Sequence, residues 1–537
     1  MKTWKKLAGF GLASLSVVTL AACGSSGGGA SSPDYELSNV TFPLKEKVSL
    51  KITTGSSTLA PQDPNDKLIY KRLEEKTNLH IDWTNYTSDY AEKRNLDISS
   101  GDLPDVFWNS GASDVELINW AEDGVIVPIE DLIDQYMPNL KKVLDDNPEY
   151  KAMITAPDGH IYSLPWIEEL GSGKESIHSV NDMAWINTEW LNKLGLEMPK
   201  TTDELVNILK AFKEKDPNGN GQADEIPMSF INDGGNEDFK LLFAAFGIGD
   251  NDDHIVVGND GVVDFTADNE DYKKGVAFMR KLYEEGLLDP EAFEQDWNTY
   301  VAKGNEQRYG VYFTWDTNNI AGDKNYDVLP VLEGPNGQKN VTRTNNIGFS
   351  RDRIVITSAN KNLELTARWL DLMYEPLQSV QNNWGTYGDD TQQNIFEFDE
   401  AKKMLKHLPL EGTAPSELRQ KTEVGGGLAI LDEYYGTVTT MPDDAKWRLD
   451  LLKEHYVPYM SNNEIYPRVF METEDLEKID LISADLMDFV NRKRSEWIVN
   501  GGIEKEWDAY IAELKRFKLD EFVAIKQKYY DDYAKSK

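Results

Sequence analysis

The chain has 537 residues, 40% hydrophobic and 11% aromatic, with 93 acidic against 56 basic side chains and a formal charge of −37. That burial capacity excludes global disorder, and the length exceeds what one core accommodates, so two or more domains are expected. The acidic field disfavours nucleic acid and anionic lipid surfaces as partners, because phosphate binding needs clustered Lys and Arg.

Lys2, Lys5 and Lys6 precede a short apolar run from Leu7 to Leu20. The run is too short to span a bilayer comfortably, so residues 1–22 read as a cleaved signal peptide. Leu20-Ala21-Ala22-Cys23 resembles a bacterial lipobox, which implies lipidation of Cys23 and cleavage before it. Cys23 is the sole cysteine, so no intrachain disulfide can form. Gly24 to Pro33 is Gly/Ser-rich, and residues 23–45 read as a flexible tether between the anchor and the folded body.

Val48 to Thr54 alternates apolar and polar residues as a strand does, Leu68 to Leu79 has helical spacing, and His80 to Thr84 alternates again. A second helical stretch ends at Gly101-Asp-Leu-Pro104, before a third strand over Asp105 to Asn109. Strand, helix, strand, helix, strand predicts parallel βαβ units in a doubly wound α/β sheet, with ligands beyond the C-terminal strand ends. Helices are predicted over Leu117–Gly124, Pro128–Tyr136, Thr188–Leu194 and Tyr272–Gly286, and strands over Met183–Asn187, Arg308–Trp315 and Arg353–Thr357. Asn259-Asp260 predicts a hairpin. Leu363–Tyr374 reads as a helix, and helix is expected to dominate from about Asp399 to the end.

Thr201-Thr-Asp-Glu204 is a capping box for a helix that leads into Asp216-Pro-Asn-Gly-Asn-Gly-Gln-Ala-Asp-Glu225. Oxygen-bearing residues at the first, third, fifth and ninth places, with glycine at the sixth, form the front of an EF-hand-type calcium loop. Asp216, Asn218, Asn220 and Asp224 supply side-chain oxygens and Gln222 a carbonyl. Pro227 stands where the bidentate Glu belongs, so Glu225 is the expected replacement. A strand-like Ile226–Phe230 follows in place of a second helix, so the metal is expected to be structural.

Several segments together resemble the sugar-binding lipoproteins of ABC importers in extracellular solute-binding family 1. The residues that carry the resemblance are Asp102-Leu-Pro-Asp-Val106, Gly159-His-Ile-Tyr-Ser-Leu-Pro165, Trp185 to Leu196 with Pro199 and Thr201, the calcium loop, and Trp497-Ile-Val-Asn-Gly-Gly502 with Trp507-Asp-Ala-Tyr510. The resemblance implies an enlarged type II periplasmic-binding-protein-like fold, with two α/β lobes, a hinge and an interlobe cleft. Lobe 1 is expected over 46–163 plus 318–380, and lobe 2, with the calcium loop, over 164–317 plus 381–537. It further implies a monomer on the outer face of a Gram-positive membrane, delivering a neutral oligosaccharide to permease subunits served by a cytoplasmic ATPase. Within the calcium-loop subgroup, fructo-oligosaccharides are the expected cargo; a polyanion such as alginate would be repelled.

A sugar ring needs flat aromatics for its C–H face and Asp, Asn, Glu or Arg for its hydroxyls. The strand-end candidates are Trp108 with Asn109, Trp166, Asp233, Trp315 with Asp316, Trp384 with Tyr387, and Tyr435 after a flexible Gly425-Gly-Gly427. Trp185, Trp190 and Trp369 read as core. An adhesin for host glycans would use a similar cleft without closure. A glycoside hydrolase is disfavoured: no GxSxG lies outside the Gly/Ser-rich tether, no Walker A or HExxH motif is present, and abundant carboxylates by themselves mark no acid–base pair.

Overall fold

The computed structural model describes residues 38–232, 237–322, 324–410, 415–462 and 464–536. The signal segment, Cys23 and Asp233 lie outside the described residues. Among the described residues, no helix is long and apolar enough to cross a membrane.

Two sheets organise the chain. The six-stranded sheet runs Leu428–Ile430, Leu164–Glu168, Phe349–Ile356, Val106–Trp108, Val48–Gly55, Leu79–Tyr86 in spatial order. Its strands at 48–55, 79–86 and 106–108 are mutually parallel, as the βαβ pattern requires, while Phe349–Ile356 runs antiparallel to both of its neighbours. In Val48–Gly55 only Lys51 is exposed, because helices cover both faces of a parallel sheet and the polar Ser49, Thr53 and Thr54 are buried with the aliphatics. The second sheet orders Tyr326–Val328, Met183–Asn187, Tyr309–Thr314 and Ile226–Met228.

Between 164–168 and 183–187, between 326–328 and 349–356, and between 428–430 and the helix Asp443–Leu451, the chain passes from one lobe to the other. Trp447 of that last helix stacks on Trp185 of the second sheet, with ring centroids 5.3 Å apart. The lobe boundaries expected above therefore shift. Leu164–Glu168 and Leu428–Ile430 belong to the first lobe, where each pairs along a strand edge, and Tyr326–Val328 belongs to the second.

Two of the predicted helices start on side-chain caps. Ser113 and Glu116 form a reciprocal capping box on Asp114–Glu122, and the Thr201 hydroxyl accepts the Glu204 N–H at the start of Thr202–Glu214. Trp185, Trp190 and Trp369 are fully buried, as expected. Helix dominates after Asp399, as expected, but the first part of that stretch departs from it. A hairpin of Phe396–Asp399 and Met404–His407 precedes Leu428–Ile430, and these strands are only three or four residues long, too short to show a period. The 28-residue helix Thr473–Asn500 packs against Glu270–Glu284 in the second lobe and Asp114–Glu122 in the first, so the lobes share a strut.

Candidate functional site

The acidic loop closes the turn between Thr202–Glu214 and Ile226–Met228. The Asp216 carboxylate accepts the N–H groups of Gly219 and Gly221, each at 3.0 Å, and Gly219 and Gly221 both adopt positive φ. Asn218 and Asn220 turn their amides onto Asp224 at 2.8–3.1 Å, and hydrogen bonding, first from Asn218, holds the Asp224 carboxyl below the usual range. Glu225 Oε1 is buried without a hydrogen-bond partner, and burial pushes that carboxyl up. Among the described residues, no three His, Cys, Asp or Glu side chains gather tightly enough to hold a metal unaided. The two asparagines and the Gln222 carbonyl would have to complete a shell. A hard cation fits these all-oxygen donors, and the orphaned Glu225 oxygen is the observation that favours it.

The second group of residues lies where the lobes face one another. Trp166 and Glu168 sit on one face of the Leu164–Glu168 strand, two residues apart. Asn383 joins them, accepting the Trp166 indole N–H at 3.1 Å and donating to Glu168 Oε1 at 2.6 Å. From the crossing segment, His178 brings Nε2 to 3.5 Å from Glu168 Oε2, with its ring between Trp166 and Trp315 at centroid distances of 6.4 and 5.8 Å. Trp315 follows the Tyr309–Thr314 strand and is half-buried. Arg353 stands over the Trp166 ring at 5.7 Å. Tyr435, on the last crossing, packs against both lobes' cores and lies 6.2 Å from Trp384. Across the gap, Arg419 pairs with Asp444 at 2.8 Å, joining the lobes.

This wall carries several buried polar atoms without hydrogen-bond partners: His178 Nε2, Arg353 Nε, Arg419 Nε, His407 Nε2 and the Tyr435 hydroxyl. Unmade hydrogen bonds of this kind are costly in a framework and serve naturally to receive a ligand's hydroxyls. Burial and the neighbouring Arg419 pull the His407 imidazole down to about 3, so it stays neutral. Burial raises the carboxyl of Glu423 and lowers the Lys67 ammonium to about 8. Two cavities open along the lobe boundary. One of about 840 Å³ is lined by Trp166, Asn181, Asn345, Ser350 and Arg353, among others, and one of about 810 Å³ by Asn318, Asn319, His407, Arg419, Asp444 and Trp447.

The candidates named from sequence divide. Trp166, Trp315 and Tyr435 come together. Asn109 lines a separate pocket of about 160 Å³ with Ser57, Gln420 and Glu423, and its side-chain oxygen accepts the Gly426 N–H at 2.8 Å. Trp108, expected as a ligand platform, is 1% exposed and hydrogen-bonds the Val424 carbonyl inside the first core. Gly426 (φ +76°) runs against it, and a Cβ there would lie 2.1 Å from the indole, so the glycine triplet permits close packing and is no flexible element. Trp384 is 4% exposed and backs Tyr435 and His407. Asp316 is spent capping Thr317–Asn319 through the Asn318 N–H, and burial raises it to about 6. Tyr387 is held between Arg72 at 4.3 Å and a stacked Phe398, apart from the Trp166–His178–Trp315 group. The wall also holds His178, Asn383, Arg353 and Arg419, which sequence reasoning did not name. Only Glu168 carried a signal, two residues beyond Trp166 in a strand.

A model of bacterial extracellular solute-binding proteins matches residues 58–378. The fructooligosaccharide ABC transporter substrate-binding protein FusA of Streptococcus pneumoniae serotype 4 is 71% identical over 537 residues, covering 100% of this chain and 99% of FusA. The solved structure of S. pneumoniae FusA in complex with kestose matches at a TM-score of 0.90 and 72% identity, over 91% of this chain and 100% of that one. An EF-hand mutant of FusA in complex with fructo-nystose matches with the same figures.

Proposed function

The chain belongs to the bacterial extracellular solute-binding proteins, and from that premise we propose that it captures short fructo-oligosaccharides between its lobes and presents them to an ABC permease. Kestose and fructo-nystose in the FusA structures support this cargo, given 72% identity across the folded body. The observation that carries the reading is the wall of half-buried aromatics, Trp166 and Trp315, with single polar atoms of Arg353, Arg419, His178 and Tyr435 that make no hydrogen bond within the protein. Flat rings suit the apolar face of a furanose or pyranose, and neutral or fixed-charge polar groups suit its hydroxyls. Contacts from both lobes give a sugar more interactions when the lobes are together, which biases closure without chemistry.

The same reading assigns calcium to Asp216, Asn218, Asn220, Gln222, Asp224 and Glu225, supported by the EF-hand named for the FusA mutant. The ion, when bound, supplies fixed positive charge that ties the turn. Cys23 is assigned as the lipid attachment, with the protein held as a monomer outside the membrane and the permease powered by a cytoplasmic ATPase.

Incubation with kestose, followed by chromatography of the sugar and small-angle scattering of the protein, tests the proposal. Unchanged kestose and a smaller radius of gyration are expected; fructose release at catalytic rates, or saturation without compaction, would overturn it.

A further inference from the structure

The Trp315 platform stands on a loop beyond its strand, and a loop aromatic is useful for stacking only if its orientation is fixed before the sugar arrives. One side chain touches it at three levels. Arg448, 1% exposed in the helix Asp443–Leu451, places its guanidinium 3.7 Å from the centre of the Trp315 ring. Its Nη1 donates to the Trp315 carbonyl, and its Nη2 donates to the carbonyls of Val180 and Asn181, the latter at 3.1 Å. Val180 and Asn181 end the crossing segment that carries His178, the ring flanking Trp315 on another side. The fork therefore ties indole, backbone and crossing segment into one body. Asp316 and Asp182 face the same guanidinium, and Tyr456 packs nearby, so charge balance alone is a competing reason for an arginine here.

We propose that Arg448 is a positioning residue for sugar binding: its planar fork fixes the indole of Trp315 and couples that platform to the Val180–Asn181 crossing. The proposal rests on the fructo-oligosaccharide reading above for its ligand, but its geometry is independent of which sugar binds. A guanidinium can stack and donate twice in one plane, which an ammonium cannot do. Lys at 448 would keep the charge opposite Asp316 and Asp182 and lose the fork.

Kestose binding by calorimetry to Arg448→Lys, Trp315→Ala and the double variant separates the possibilities. Arg448→Lys is expected to weaken binding about 10-fold alone and less than about 2-fold in the Trp315→Ala background, the non-additivity of residues that act as a unit. Wild-type affinity in Arg448→Lys, or an equal loss in both backgrounds, would overturn the proposal, since the arginine would then serve charge balance or general stability. Should the variants not fold, fluorine NMR of 5-fluorotryptophan-labelled protein decides, with the Trp315 resonance assigned by its loss in Trp315→Phe. A single sharp line in sugar-free protein is expected, and a doubled or exchange-broadened line would refute a platform set in advance. Absence of kestose binding by the wild-type protein would sink the functional reading while leaving that NMR result to judge Arg448.

Discussion

Chelation of calcium should cost stability and spare sugar affinity. The acidic loop enters the second sheet at Ile226, which pairs in parallel with Tyr309, while Trp315 lies beyond the far end of the same Tyr309–Thr314 strand. Six residues at about 3.3 Å each put roughly 20 Å of buried strand between the loop and the platform. Asp216, Asp224 and Glu225 would then repel one another without an ion, but the cleft would not feel it directly. With calcium at about 100 times its dissociation constant, binding only to the folded state is worth about 2.7 kcal/mol. In a second lobe of roughly 280 residues, with an unfolding entropy of about 2.1 cal/mol/K per residue, that corresponds to a fall of about 4–5 °C in Tm on chelation. Differential scanning calorimetry with calcium and with excess chelator measures the shift, and kestose titrations under the same two conditions measure affinity. A Tm unmoved by chelation would refute the metal assignment. A tenfold or greater loss of affinity together with Tm would refute the separation of loop and cleft.

Trp315→Ala is expected to weaken kestose binding by about 2 kcal/mol, some 30-fold, with Tm little changed, as for a central aromatic anchor; calorimetry and thermal melts check both halves. Trp384→Ala should instead destabilise the first lobe by about 3–5 kcal/mol, the usual loss for a buried large aromatic, seen as a lowered denaturation midpoint. The carboxyls of Asp268, Asp316 and Asp371, each raised to about 6 chiefly by burial, favour the protonated folded state. Their stabilising contribution is complete below about pH 4 and is lost as pH rises through 6, in the same sense as the repulsion within a chain of charge −37. Tm at pH 5 should accordingly exceed Tm at pH 7.5, and the reverse order would contradict the assignment. Asp444→Asn removes the 2.8 Å interlobe partner of Arg419 and should lower kestose affinity about 2–5-fold by way of closure, the scale of a partly exposed ion pair.

What the sequence made legible follows from the length scale of each signal. The βαβ opening was readable because Val48–Gly55 and Leu79–Tyr86 are eight residues each and the helix between them is closed by Asn78 in the left-handed region. The acidic loop was readable because its pattern is local, with every proposed donor within ten residues. The proposed sugar wall was only partly readable, since its members come from four separate stretches, 166–178, 315, 353 and 383–435, whose meeting depends on how the chain crosses between lobes. Trp108 and Trp166 looked equivalent in sequence, each in or beside an apolar run. What separates them is the Gly425–Gly427 segment, which covers Trp108, and no local pattern announces a covering segment more than 300 residues away. Arg419 and Arg353 gave no signal at all, because one charged side chain in an acidic chain reads as surface until burial is known.

Calorimetric titration of the calcium-loaded protein with kestose, alongside maltotriose as a neutral sugar of equal length, tests the central claim most directly. A saturable one-to-one isotherm for kestose, at least tenfold tighter than any for maltotriose and abolished or strongly weakened by Trp315→Ala, is expected. Equal affinity for the two sugars, or no heat with kestose from protein shown to be folded, would contradict capture of fructo-oligosaccharides in the interlobe cleft.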